Sequence, residues 1–325
     1  MTEQQPESPT SGTGPQAAST YSVPVPSHDA STPLAAEVEE HISLLRKTSA
    51  TPRYERPDGT RIFVVANQKG GVGKTTTTVN VAAALAMKGQ RVLVVDLDPQ
   101  GNASTALNIP HAEGTPGVYE ALVEGVDLAE LVQQCPDIAG LSVLPATIDL
   151  AGAEIELVSL VARETRLDRA LQSYLADRDA AGDRIDYVLI DCPPSLGLLT
   201  VNAMVAGREV LIPIQCEYYA LEGLGQLVRN IDLIRAHLNP RLEITTILLT
   251  MYDARTRLSA GVAAEVRGHF GDKVITTPIP RSVRISEAPS YQQTVITYDS
   301  TSSGALSYLE AAREISAAGV EGAAR

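Results

Sequence analysis

The stretch Asn67-Gln68-Lys69-Gly70-Gly71-Val72-Gly73-Lys74-Thr75-Thr76-Thr77 constrains this 325-residue chain more than any other. It follows the apolar run RIFVVA directly and opens the helical pattern TTTTVNVAAALAMK. A strand, a glycine loop and a Lys-Thr pair at a helix start form a phosphate cradle, because glycines let successive N–H groups turn inward and the helix N-terminus adds positive potential. In such a cradle Lys74 reaches the β- and γ-phosphates and the Thr75 hydroxyl ligates Mg²⁺. The strict pattern G-x-x-x-x-G-K-[ST] is not met, since Gln68 stands at the first glycine position and a second lysine, Lys69, follows it. Only five lysines occur in the chain against 21 arginines, and two of them are in this loop.

The surrounding pattern predicts an α/β fold, a doubly wound and mostly parallel sheet. RIFVVAN, RVLVVDLD, LSVLPA, DYVLIDCPP, EVLIPI, ITTILLT and KVITTPI are near-continuous apolar runs, the signature of strands covered on both faces. Lys74 to Lys88, Leu157 to Ala176, Leu198 to Ala206, Glu222 to His237 and Ser259 to Phe270 read as the intervening helices. Ligands of such a fold lie at the carboxyl ends of the strands. There stand Asp96-Leu97-Asp98-Pro99-Gln100-Gly101-Asn102 and Asp191-Cys192-Pro193-Pro194. Asp191 is suited to hold Mg²⁺, directly or through a water, and Asp98 to orient the water that attacks the γ-phosphate. Asp96 anchors the loop or the metal's water shell.

Residues 1–58 differ in composition. Rich in Ser, Thr, Pro, Gln and Ala, they cannot bury enough surface to offset their ordering entropy, and they read as a flexible tail before a phosphate-loop domain at 59–325. Within the tail Leu34, Val38, His41, Ile42 and Leu45 share one helical face that docks on the body or on a partner, or stays solvated. Glu3 and Glu7 and the absence of an apolar leader, with no apolar stretch of membrane-spanning length, point to a cytoplasmic protein without a membrane partner. Cys135, Cys192 and Cys216 form no C-x-x-C pair and read as buried small hydrophobes.

KGGVGKTTT, DLDPQGN and DCPPS together resemble the deviant Walker A ATPases, above all the ParA/Soj class of chromosome- and plasmid-partitioning proteins. The likeness continues through TMYDARTRLS at Thr250–Ser259 and PIPRSVRISEAPS at Pro278–Ser290, and spans about Arg61 to Ile315. It implies an ATP-sandwich homodimer in which residues 69–76 (Lys69, Gly70, Gly71, Val72, Gly73, Lys74, Thr75 and Thr76) hold the nucleotide and Lys69 crosses to the partner's ATP. The cofactors implied are ATP and Mg²⁺. The resemblance further implies that Asp98 supports hydrolysis and that Met251, Pro280, Arg281 and Ser282 lie around the adenine. It implies slow hydrolysis accelerated by a ParB-type, centromere-bound protein, and nucleoid association through sequence-independent DNA binding that hydrolysis ends. The family's sequence-specific repressors carry an N-terminal helix-turn-helix, for which a Ser/Pro-rich segment of this length leaves little room.

A net charge of −13 argues at first against a DNA partner. By segment, residues 96–191 hold 18 acids and 5 bases, which accounts for −13, whereas residues 228–284 hold 9 bases and 5 acids, giving +4. Arg255, Arg257, Arg267, Lys273 and Arg284 fall where ParA-like dimers face DNA, with Arg255 and Arg284 the first choices. With 4% aromatics and no Trp, double-stranded DNA fits better than stacked single strands. Three competing readings each lack a feature. A MinD-like membrane-cycling ATPase needs a C-terminal basic amphipathic helix, but the tail has only Arg313 and Arg325 against three glutamates. A nucleotide-binding iron–sulfur carrier needs paired thiolates, and a tyrosine-kinase relative a terminal tyrosine cluster.

Overall fold

A computed structural model describes residues 39, 42–44, 53–217 and 220–323. In chain order the regular elements are β1 Arg61–Val65, α1 Lys74–Met87, β2 Val92–Asp96, α2 Asn102–Ala106, α3 Leu128–Leu131, β3 Gln133–Gln134, β4 Leu141–Leu144, α4 Leu150–Glu156, α5 Arg166–Ala180, β5 Tyr187–Asp191, α6 Leu198–Ala206, β6 Glu209–Gln215, α7 Ala220–His237, β7 Glu243–Thr250, α8 Arg257–Phe270, α9 Val283–Glu287, α10 Val295–Tyr298 and α11 Ser303–Ala323. Seven strands form one sheet in the order β3-β4-β2-β5-β1-β6-β7, parallel throughout except for the two-residue β3. The expected doubly wound α/β fold is therefore present. The chain first winds from β1 toward β2 and β4, then crosses back after β5 to β6 and β7, so the reversal falls where the glycine loop leaves β1.

Alternation along each strand divides the core in two. Ile62, Val64, Leu93, Val95, Val188 and Ile190 face α5, α6 and α8 through Leu167, Leu171, Leu199 and Val262. Phe63, Val65, Val92, Val94, Tyr187 and Leu189 face α1 and α11 through Val79, Leu85, Tyr308 and Ile315. Burying such side chains contributes roughly 1.5–3 kcal/mol each. The helix α11 is absent from the sequence-based helix list, yet Ala305, Ala311, Ala312 and Ile315 use its apolar side against the body. No helix among the described residues is long and apolar enough to cross a membrane.

Two expected elements differ. The helix expected over Leu157–Ala176 is broken, with α4 and a 3₁₀ turn at Leu157–Ser159 on one side and α5 on the other. The Asn202 amide explains the break: its Nδ2–H donates to Arg163 O and its Oδ1 accepts from Leu167 N–H, the two groups an uninterrupted helix would pair with each other. KVITTPI does not form a strand. Ile275 and Ile279 donate to the β7 carbonyls of Ile247 and Leu249, but between them the N–H groups of Thr276 and Thr277 turn to the Glu314 carboxylate of α11, and Pro278 has none to give.

At the other end of the chain, the expected division at Asp58 lies within a segment tied to the body. The Tyr54 hydroxyl donates to Leu309 O, its N–H donates to Lys88 O, and Arg56 pairs with the buried Asp186 at 2.8 Å. Of the helical face expected between Leu34 and Leu45, Ile42 is exposed and the neighbouring Leu44 is buried instead; Leu34, Val38, His41 and Leu45 lie outside the described residues.

Candidate functional site

The glycine loop is fixed at three points. Asn67, just past β1, donates from Nδ2 to Pro213 O of β6 at 2.8 Å and accepts from Lys69 N–H on Oδ1. Thr250, the last residue of β7, donates from Oγ1 to Val72 O at 2.9 Å. Gly71 and Gly73 have φ values of 72° and 89°, a left-handed backbone that side chains disfavour, and Gly73 immediately precedes α1. These constraints curl the loop over the first turn of α1, where Lys74, Thr75 and Thr76 begin the helix.

Lys74 is buried, and among the described residues its ammonium has one weak partner, Lys69 O at 3.5 Å. Burial pulls its pKa down, opposed by the nearby charges of Asp191 and Asp98. Asp191 ends β5 in register with Asp96 at the end of β2, and both carboxyl groups are fully buried. Burial pushes both carboxyls above the ordinary carboxylate range; for Asp191 the neighbouring Asp96 adds to this and contacts from Thr75 and Thr78 oppose it. Asp191 Oδ1 accepts from Thr78 Oγ1–H at 3.0 Å, while its Oδ2 is buried with no hydrogen-bond partner among the described residues. A carboxylate oxygen left open beside a helix-start threonine and a lysine fits an oxygen-preferring divalent cation. Among the described residues no group of three or more His, Cys, Asp or Glu side chains could hold a metal ion. Asp98 is half-buried over the same strand ends, with Oδ1 accepting from Gln100 N–H.

Lys69 does not point into its own loop. Its ammonium pairs with Glu217 at 3.2 Å, beyond the end of β6. Glu217 also lies 3.7 Å from Arg281 and accepts from Gln215, so this carboxylate, which sequence reasoning missed, joins the second lysine to the segment proposed around the adenine. Met251 adopts φ 50°, and Tyr252 pairs with Pro280 while accepting from Arg281 N–H. Met251, Pro280 and Arg281 thus gather at the end of β7, whereas Ser282 packs toward Gly304 at the start of α11. The three cysteines are free and buried; burial raises the Cys192 thiol out of the reactive range and lifts Cys216 to about 11.

The five arginines and lysines proposed for DNA do not form one patch. Arg255 follows the β7 end that carries the site, and Arg284 follows Pro280–Ser282 at the same edge. Lys273 pairs with Glu243, the first residue of β7, at the far end of an eight-residue strand and so about 23 Å away. Arg267 donates to Thr276 O between these ends, and Arg257 is exposed on the first turn of α8. Nearby carboxylates hold Arg255 (Asp253, 2.9 Å) and Arg284 (Glu287, 3.1 Å, and Asp299, 3.4 Å).

A phosphate loop at the switch point of a doubly wound sheet, with an open buried carboxylate beside its helix-start threonine, defines a P-loop nucleoside triphosphatase. The family model described as "AAA domain" matches residues 60–244. The sporulation initiation inhibitor protein Soj of Bacillus subtilis is 52% identical over 259 residues, covering 80% of this chain and 99% of that protein. The chromosome partitioning protein ParA of Caulobacter vibrioides is 50% identical over 255 residues, covering 78% and 93%. Among solved structures, cobyrinic acid a,c-diamide synthase from Mycobacterium smegmatis with bound ADP and magnesium aligns with a TM-score of 0.65 and 39% identity, covering 77% of this chain and 91% of that one. The cell division ATPase MinD of Pyrococcus furiosus aligns with a TM-score of 0.63 and 27% identity, covering 78% and 98%. The chain belongs to the ParA/Soj family of chromosome-partitioning ATPases.

Proposed function

We propose that this chain hydrolyses ATP with Mg²⁺, that ATP closes two copies into a sandwich dimer, that the dimer binds double-stranded DNA without sequence preference, and that a ParB-type centromere-binding protein ends this binding by accelerating hydrolysis. The observation that supports the reading best is the direction of Lys69. One lysine of the loop, Lys74, is buried, while the other is turned outward and, among the described residues, pairs with the half-buried Glu217 carboxylate. A largely solvent-accessible pair of this kind contributes about 0–1 kcal/mol, so releasing Lys69 toward a partner's phosphates costs little.

In this reading Lys74 and the N–H groups of residues 70–76 bind the phosphates, and Thr75 and Asp191 hold the metal. Mg²⁺ there would offset charge on the β- and γ-phosphoryl oxygens. Asp98 orients the attacking water, and Lys69 from the partner neutralises charge on the transferring phosphoryl group as an arginine finger does. Met251, Pro280 and Arg281 form one wall for the adenine, with Ser282 behind them.

DNA binding rests on Arg255 and Arg284, which share the nucleotide-bearing edge, more than on Arg257, Arg267 and Lys273. Contacts to phosphates carry no sequence information and release counterions. Arg284→Glu is therefore expected to weaken duplex binding at every sequence tested while ATP-dependent dimerisation persists. In a dimer the substitution removes two phosphate contacts, so the slope of log affinity against log salt should flatten by about two. Unchanged gel shifts at moderate salt would move the DNA surface elsewhere.

A further inference from the structure

Two buried carboxylates stand side by side at the strand ends, and they differ in what they accept. Among the described residues Asp191 keeps one oxygen without a donor, whereas both oxygens of Asp96 are occupied by the chain that follows it. Asp96 Oδ1 accepts from Asp98 N–H at 3.2 Å, and Oδ2 accepts from Ser104 N–H at 2.9 Å and from Ser104 Oγ–H at 2.8 Å. Ser104 Oγ in turn accepts from Ala146 N–H at 3.3 Å, just beyond β4. One carboxylate thus gathers both ends of the turn from Asp98 to Ser104, and the serine fastens that turn to the neighbouring strand.

We infer that Asp96 is a positioning residue for hydrolysis: it clamps the turn that carries Asp98 and leaves the metal to Asp191. The inference rests on the reading of Asp98 as the hydrolytic carboxylate. A loop residue can orient a water only if its backbone is held to a fraction of an ångström, and a misplacement near 1 Å costs on the order of 100-fold in rate. Asp96 provides that restraint from the end of β2 through three donors, one from Asp98 itself and two from Ser104 in α2. Asn at position 96 cannot reproduce it, since one oxygen becomes an amide N–H₂ facing an N–H donor.

The test compares Asp96→Asn, Ser104→Ala and Asp98→Ala by single-turnover and steady-state ATP hydrolysis, ATP titration and Mg²⁺ titration. Asp96→Asn is expected to lower kcat by roughly 10- to 100-fold with ATP affinity and Mg²⁺ requirement within about threefold of the unaltered chain. Ser104→Ala, which keeps the bond to Asp98 N–H, should lose about threefold to tenfold in kcat, and Asp96→Asn should add no further loss in an Asp98→Ala background. A large increase in the Mg²⁺ requirement of Asp96→Asn, with kcat recovered at saturating Mg²⁺, would make Asp96 a metal ligand and overturn the inference. Should Asp96→Asn not fold, Ser104→Ala decides, and unaltered kcat there overturns it. An inactive Asp98→Ala beside a fully active Asp96→Asn refutes the clamp alone, whereas full turnover by Asp98→Ala removes the reading beneath it.

Discussion

Lys74→Ala is expected to lose ATP binding, with affinity in a nucleotide titration falling by about 100-fold or more. The Lys74 ammonium is buried, and among the described residues it donates to the Lys69 carbonyl only at the long distance of 3.5 Å. Burial pulls its pKa down, and the charges of Asp191 and Asp98 oppose that shift. A triphosphate would give the ammonium short charge-assisted hydrogen bonds, each worth about 1.5–3 kcal/mol, and two such bonds account for a 100-fold change in affinity. Alanine removes both bonds. Retained micromolar affinity would withdraw the assignment of the loop.

Asp98→Ala has the opposite profile. Asp98 makes a local contact to Gln100 N–H and lies outside the glycine loop, so ATP binding and dimerisation should survive its loss. Turnover should fall by roughly 10²- to 10⁴-fold, the range for removing a group that handles the attacking water's proton. The variant should therefore accumulate as an ATP-bound dimer, visible as a doubled mass in sedimentation velocity with ATP present and no phosphate release. Rapid turnover by this variant would reassign the hydrolytic carboxylate.

The loop and the two strand-end motifs were legible because their chemistry is local in sequence: Gly71 and Gly73 carry the required backbone, and Asp96, Asp98 and Asp191 follow uninterrupted apolar strands. Whether Asp96 serves the loop or the metal's water shell was not legible, because the donors that meet Asp96 and Asp191 come from Ser104 and Thr78 in separate elements. Glu217 escaped notice for a related reason; its meeting with Lys69 joins the ends of β1 and β6, 148 positions apart in the chain. Both misread elements came from long-range side chains. Asn202 takes over a helical hydrogen bond at Arg163 and Leu167, and Glu314 draws Thr276 and Thr277 away from β7, and nothing in either local segment announces those partners.

Charge behaves in the same way. The count over residues 228–284 correctly separates a basic region from an acidic one, but it places Lys273 and Arg284 in one group although they belong to opposite ends of the sheet. Nor does it reveal that acidic neighbours already hold Arg255 and Arg284, so that phosphate binding must exchange one ionic partner for another. Such exposed pairs are weak and screened by salt, which leaves the exchange feasible and strongly dependent on ionic strength.

The central claim is that ATP makes this chain a DNA-binding dimer, and co-sedimentation with plasmid DNA and with anionic liposomes, each with and without ATP and Mg²⁺, tests it most directly. The account predicts that the protein pellets with plasmid DNA only when ATP is present, that rising salt removes it from the pellet, and that liposomes leave it in the supernatant in every condition. ATP-dependent sedimentation with liposomes and none with DNA would contradict the account and favour a membrane-cycling ATPase.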